Sequence, residues 1–279
     1  MTAVDGEPAL IDSVLAQLRE HVDAPDAAQF ESFVRQYYRW VPTEDLLGRD
    51  ASDLYGAAMG HWRLAGERRH GATAIRVYDP QLERDGWESP HTVIEIVSDD
   101  MPFLVDSLTM ELNRAALGIH LTIHPVLLVR RDDAGKLLEV LPAGAESADA
   151  TRESVLHVEV DRRGGEDERH ALEAGIARVL AEVRAAVEDW KPMGERLRAV
   201  IETLATSGSD AVDLAESEEY LRWLESNHFT FLGYQEYAVR DGALRPAAGT
   251  ALGVLRVDAA AATSDCDDAW ARAIADLPR

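Results

Sequence analysis

Between His91 and Pro142 the hydrophobic period of the chain changes repeatedly, and this alternation restricts the fold more than any residue count does. HTVIEIVSDD (91–100) sets Val93, Ile94, Ile96 and Val97 in a short run rich in β-branched residues, which reads as a strand. MPFLVDSLTMELNRAALG (101–118) then shifts to helical spacing. There Asp100 is placed to cap, Pro102 sits in the first turn, Leu104, Leu108, Leu112 and Ala116 share one face, and Gly118 ends the run. IHLTIHPVLLVRRDDAGKLLEVLP returns to strand character, with a DDAG turn at 132–135 and a short return strand. A chain that switches in this way builds a sheet with helices laid on it.

The flanking sequence extends the pattern. After a polar loop from Pro142 to Glu153, SVLHVEVDRR (154–163) is a further strand. A helix follows from about Glu166 to Trp190, with Leu172, Ile176, Val179 and Val183 on one face. Residues 91–190 therefore run strand, helix, strand, strand, helix, most of a βαββαβ ferredoxin-like unit. No closing strand is evident beyond it, and TAIRVYDP (73–80) is a strand that could pair from outside the unit. Residues 8–70 read as helical, with Tyr37, Tyr38, Trp40, Tyr55 and Trp62 expected in a core. Pro192 is expected to interrupt the helical run, so that MGERLRAVIETLATSG forms a separate helix before the SGSD linker. SEEYLRWLESNH is a short helix, and FTFLGYQEYAVRDGALRPA gives two strands around an Asp-Gly turn at 241–242. The fold class is α+β. Its expected parts are a helical subdomain (1–70), an α+β domain (71–190), a helical linker (191–226) and the start of a second α+β unit (227–279).

Charge and cysteine usage narrow the function classes. The formal net charge is −23. Binding to nucleic acid or to an anionic membrane surface needs the opposite sign. Cys266 is the single cysteine, so an internal disulfide and a cysteine-built zinc site are both excluded, and cytosolic context fits. No apolar run approaches the length of a membrane span.

Local chemistry is sparse. His120 and His124 make an H-x-x-x-H pair, but on a strand four residues span about 13 Å, too far for both rings to reach one ion. No metal ligand is assigned on that basis. Asp99, Asp100 and Asp106 gather near a helix start. Capping and dipole complementarity account for them, and the same free N–H groups could hold a small ligand. The chain has no G-x-G-x-x-G after a strand, no P-loop, no H-E-x-x-H and no G-x-S-x-G. No catalytic residue is assigned in this segment.

Three blocks, in order, carry a family resemblance. YYRWVPTEDLLGRDASDLYGAAMGHWRLAGER, VIEIVSDDMPFLVDSLTMELNRAALGIHLTIHPVLLVRRD and SNHFTFLGYQEYAV span residues 37–239. They resemble the N-terminal region of the large bacterial NAD-specific glutamate dehydrogenases. The resemblance implies a parent several times longer, cytoplasmic and homo-oligomeric, that converts L-glutamate and NAD to 2-oxoglutarate, ammonia and NADH. It implies that this piece is an ACT-type regulatory and assembly region with no active site or cofactor of its own, NAD serving the parent. Its partners would be the rest of its own polypeptide and neighbouring subunits. In ACT units a D-x-P-G-L turn helps hold an amino-acid effector, and here that turn reads Asp100-Met101-Pro102-Phe103-Leu104. The resemblance thus marks Asp99, Asp100, Met101, Pro102 and Phe103 as the expected effector site. Phe103 replaces the family glycine, which favours a second reading of the chain as a self-association module without a ligand.

Overall fold

The computed structural model describes residues 11–16, 24–46, 48–206, 212–240 and 243–257. Of the first expected helix, residues 11–16 are helical; Cys266, the SGSD linker and the Asp241-Gly242 turn lie outside the described residues. The chain divides into two compact units, Met1–Arg178 and Val179–Arg279.

The first unit opens with helices α1 (Ala24–Tyr37), α2 (Thr43–Leu46) and α3 (Ala51–Ala65). It continues through β1 (Ala74–Tyr78), the short α4 (Leu82–Asp85), β2 (Thr92–Asp99), α5 (Leu104–Arg114), β3 (Ile119–Ile123), β4 (Val126–Arg131), β5 (Leu137–Val140) and β6 (Thr151–Val160). The strands form one six-stranded sheet in the order β1-β2-β6-β4-β5, with β3 also paired to β6. Every pairing is antiparallel. The mixed α+β class read from the hydrophobic periods is the class observed. The edge beside β2, where a closing strand was missing, is filled by β1, which arrives from earlier in the chain and pairs Ala74 with Val97 through Tyr78 with Val93.

Register explains the apolar runs. β2 pairs with β6 from Thr92↔Val160 to Asp99↔Glu153, so Val93, Glu95 and Val97 share a face with Val155, His157 and Glu159. That face lies under α1 and α3, where Phe30, Phe33, Val34, Tyr37, Tyr38, Leu54 and Ala58 join Val97, Leu121, Ile123, Leu127 and Val155 in one core. The other face carries Ile94, Ile96, Leu156, Val158 and Val160, all buried. The helices at Leu104–Arg114 and from Glu166 onward carry buried stripes of their own, Leu104, Leu108 and Leu112 on the first and Leu172 and Ile176 on the second. A strand buried on both faces reads as a nearly continuous apolar run, as these do.

Several details differ from the sequence reading. The strand expected from Ile119 onward is two, because Pro125 cannot donate to the ladder; β3 and β4 lie end to end along β6. Val155 N–H bonds the Pro125 carbonyl across the break at 3.1 Å. β6 begins at Thr151, inside the expected loop. The DDAG turn forms as expected: Asp132 Oδ1 accepts from the N–H groups of Ala134 and Lys136, and Gly135 takes φ 93°. Trp40 is exposed, unlike Tyr37 and Tyr38, because it lies beyond the end of α1 and off its buried stripe.

A single 41-residue helix, α6 (Glu166–Thr206), runs through Pro192. The proline removes one ladder bond and crowds a carbonyl, at a cost of about 3 kcal/mol. Neighbouring bonds offset this: Gly253 N–H and Arg256 Nε reach Asp189 at 2.7 and 2.8 Å, and Met193 and Ile201 beyond the proline are buried. In the second unit follow α7 (Val212–Trp223), a π-turn (Leu224–His228) and α8 (Val254–Val257). β8 (Tyr237–Arg240) pairs with β9 (Ala243–Pro246) as the expected hairpin, and β7 (Gly233–Tyr234) pairs with β10 (Leu252–Gly253). No helix among the described residues is long and apolar enough to cross a membrane.

Candidate functional site

The turn between β2 and α5 carries the residues marked by the resemblance. Asp99 closes β2, and its Oδ1 accepts from the buried Arg68 Nη2 at 2.8 Å. Asp100 donates its backbone N–H to the Arg152 carbonyl at 3.0 Å, and its Oδ1 accepts from Ser154 Oγ at 2.8 Å. The carboxylate of Asp100 therefore faces the sheet. The N-cap position belongs to Phe103, and no side chain caps α5 there, in contrast to the capping role expected of Asp100. Met101 is half-buried; Pro102, Phe103 and Asp106 are exposed.

Phe103 sits in the left-handed region at φ 71°. A side chain at such a φ crowds the following carbonyl, a strain that glycine does not feel. The geometry thus supplies the reason a glycine suits this place in a D-x-P-G-L turn. Phe103→Gly should raise stability by about 0.5–1 kcal/mol, since the half-exposed ring gives up little burial. Urea unfolding of the two proteins checks this; a loss of stability would mean that the ring contributes more than the strain costs.

His120 and His124 turn to different partners. His120 Nε2 lies 2.8 Å from Asp161 Oδ1, and its ring stacks on His91 with centroids 4.0 Å apart. His124 Nε2 lies 3.2 Å from Ser154 Oγ, the hydroxyl that also serves Asp100.

The densest polar constellation was missed by the sequence reading. His61 of α3, Glu95 of β2 and His157 of β6 are all fully buried, with potential ligand atoms within 4.8 Å of one another. Their positions are far apart in sequence and meet only through the register Glu95↔His157 and the seating of α3 on that face. A signal was nevertheless present. Glu95, His157 and Glu159 are the polar residues inside VIEIV and VLHVEV, strands otherwise apolar on both faces.

Hydrogen bonding fixes much of the protonation in this cluster. A carbonyl only accepts, so His61 Nε2 donates to Ile96 O at 3.2 Å, and Nδ1 is left to accept from Tyr37 Oη at 3.1 Å. Burial, with His157 nearby, holds the His61 pKa well below the ordinary value and keeps the ring neutral. Glu95 accepts from Tyr78 Oη at 2.8 Å and from Arg76 Nε at 3.1 Å. Burial raises its pKa more than those partners lower it. Glu159 is taken at both oxygens by Arg49, at 2.6 and 3.0 Å, and lies 3.6 Å from His157 Nε2. Burial alone would raise the Glu159 carboxyl, but His157 and Arg49 outweigh it and bring the pKa to about 2. His157 Nδ1 is buried without a hydrogen-bond partner. Beside the cluster lies a cavity of about 300 Å³ lined by Arg49, Trp87, His91, His157 and Glu159 among others.

Comparison with known proteins bears on the whole of this unit. The sequence model of the glutamate dehydrogenase ACT1 domain matches residues 33–176, from α1 through the sheet to the first turns of α6. The chain is 40% identical over 269 residues to an NAD-specific glutamate dehydrogenase of Halomonas elongata, covering 92% of this chain and 17% of that protein. It is 40% identical over 228 residues to the one of Pseudomonas aeruginosa, covering 81% and 14%. The one of Mycobacterium tuberculosis is 28% identical over 256 residues, covering 89% and 14%. The chain thus spans less than a fifth of the length of these relatives. It belongs to the family of the NAD-specific glutamate dehydrogenases, in the part of them that carries the ACT1 domain.

Proposed function

We propose that this chain is a non-catalytic regulatory and assembly segment of a large NAD-dependent glutamate dehydrogenase. In this reading the parent oxidatively deaminates L-glutamate to 2-oxoglutarate and ammonia in the cytoplasm, with NAD bound by another part of the polypeptide. The ACT1 match over residues 33–176 carries the reading. Its partners are the remainder of its own polypeptide and the neighbouring subunits of a homo-oligomer. Glutamate-dependent NADH formation by this chain alone should be undetectable, and measurable turnover would overturn the reading. Deleting the segment from the full-length enzyme should change its subunit assembly or its response to effectors while NAD binding persists. A deletion that left size and kinetics unaltered would equally count against it.

The effector part of the proposal is narrower and concerns Asp99 to Phe103. Calorimetry of the chain against the twenty amino acids should show one that binds, with affinity weakened by Asp100→Ala. The half-exposed ring of Phe103 at the place of the family glycine favours the second reading, self-association without a ligand. No amino-acid binding at millimolar concentration, together with reversible association in light scattering, would leave assembly as the sole role.

A further inference from the structure

We propose that His61, Glu95 and His157 form a binding site for a divalent transition-metal ion of the zinc type, buried between α3 and the sheet. The donor set is two imidazoles and one carboxylate, the chemistry that zinc takes and that magnesium and calcium, which prefer all-oxygen shells, do not. The donor atoms lie within 4.8 Å of one another. An ion bonded at about 2.0–2.2 Å to each needs them roughly 3.3 Å apart, so side-chain rotations of about an ångström close the set.

A second observation points the same way. His157 is 1% exposed, yet its Nδ1 has no hydrogen-bond partner. Leaving a buried nitrogen unsatisfied costs about 1–3 kcal/mol. The surrounding polar groups are otherwise well bonded, so this one nitrogen stands out. The opposite ring nitrogen, Nε2, faces Glu159, which Arg49 holds at both oxygens. Glu159, 3.6 Å behind the ring, stands where the carboxylate behind a metal-bound imidazole stands, and the far nitrogen is the one open to an ion.

His61 has the same arrangement with a different backing group. The Ile96 carbonyl takes the proton of Nε2, and Nδ1 presents its lone pair, at present to the Tyr37 hydroxyl. An ion at Nδ1 would displace that hydrogen and leave the Tyr37 oxygen beside it as a further donor. Each oxygen of Glu95 accepts from one residue, Tyr78 or Arg76, and keeps a lone pair. Both rings need only be neutral to bind, which His61 is. The ion would tie α3 to the two central strands β2 and β6, a structural role, and the cavity lined by His157 and Glu159 offers its way in.

The test starts from the purified chain, stripped with a chelator and titrated with zinc chloride alone. Calorimetry and metal analysis after desalting should give one zinc per chain, and the melting temperature should rise with zinc and fall again with chelator. His157→Gln and Glu95→Gln should each weaken binding by at least ~100-fold, and the backing substitution Glu159→Gln by ~10–100-fold. His120→Ala, which removes the exposed ring stacked on His91, should leave the affinity unchanged. Failure of the wild-type chain to retain zinc overturns the proposal. So does retention by His157→Gln, or loss in His120→Ala. Should the core variants fail to fold, zinc-edge absorption on the wild-type chain decides instead. It should show imidazole nitrogens at about 2.0–2.1 Å with an oxygen neighbour, and an all-oxygen shell would refute the site.

Discussion

Glu153→Ala should cost the first unit about 3–5 kcal/mol, the expected loss when one partner of a buried ion pair is deleted. Glu153 is 1% exposed on β6, and it holds two guanidinium groups at once. Arg68 Nη2 reaches it at 2.5 Å, and Arg131 reaches it twice, from Nε and Nη2, each at 2.7 Å. Both cations are themselves buried. Without the carboxylate, Arg68 keeps Asp99 and the Ala72 carbonyl, and Arg131 keeps the Gly135 carbonyl. Two desolvated cations would then share too little negative charge. At roughly 2–4 °C per kcal/mol for a unit of this size, the melting temperature should fall by roughly 6–20 °C.

The exposed network at Arg130 supplies the contrast. Its partner Asp149 lies at the surface, so Asp149→Ala should be close to neutral. Urea unfolding of both variants compares them directly. A Glu153→Ala loss below about 1 kcal/mol would show that the triad is solvated in solution. The consequence reaches the candidate effector turn, because Arg68 also holds Asp99 where β2 runs into Asp100–Phe103. Amide exchange at Asp100, Met101 and Phe103 should quicken in Glu153→Ala ahead of the sheet interior.

The elements whose information is local were legible in the sequence. The periodicity of 91–118 gave β2 and α5 directly, and Asp132 with Gly135 announced the β4–β5 turn. The family resemblance, resting on three long blocks, placed the chain correctly among the NAD-specific glutamate dehydrogenases. What escaped was what depends on partners far along the chain. Pro192 reads as a helix break until the bonds from Gly253 and Arg256 to Asp189 are seen to flank it. The φ of Phe103 cannot be read from its identity, since a phenylalanine rarely takes that conformation. The cluster of His61, Glu95 and His157 is the clearest case. Glu95 and His157 stand out as polar residues in apolar strands, but the cluster exists only once β2 and β6 are in register under α3.

The same seating of α3 produces the second large effect, a sign reversal between two neighbouring substitutions. Gly56 lies on the buried side of α3, and a Cβ added there would meet Trp87 Cβ at 2.5 Å and Cγ at 2.6 Å. Trp87 cannot easily withdraw: it is buried with Ala57, Tyr78 and Val93, edge-on to Tyr78 at 6.3 Å. Gly56→Ala should therefore destabilise by about 1–3 kcal/mol through overpacking, although alanine favours the helix by up to about 1 kcal/mol. Trp87→Gly should cost at least about 3–5 kcal/mol and open space next to His157, whose ring lies 6.4 Å away. Glycine at 87 removes the Cβ together with the indole, and the clash goes with them. In the Trp87→Gly background, Gly56→Ala should stabilise by about 0.5–1 kcal/mol, the bare helix preference. Chemical denaturation of the four proteins should thus yield a coupling of about 1.5–4 kcal/mol between residues distant in sequence. Simple additivity would mean that α3 does not rest on Trp87, and the wall that α3 and Trp87 together give the cavity beside His157 would have to be drawn differently.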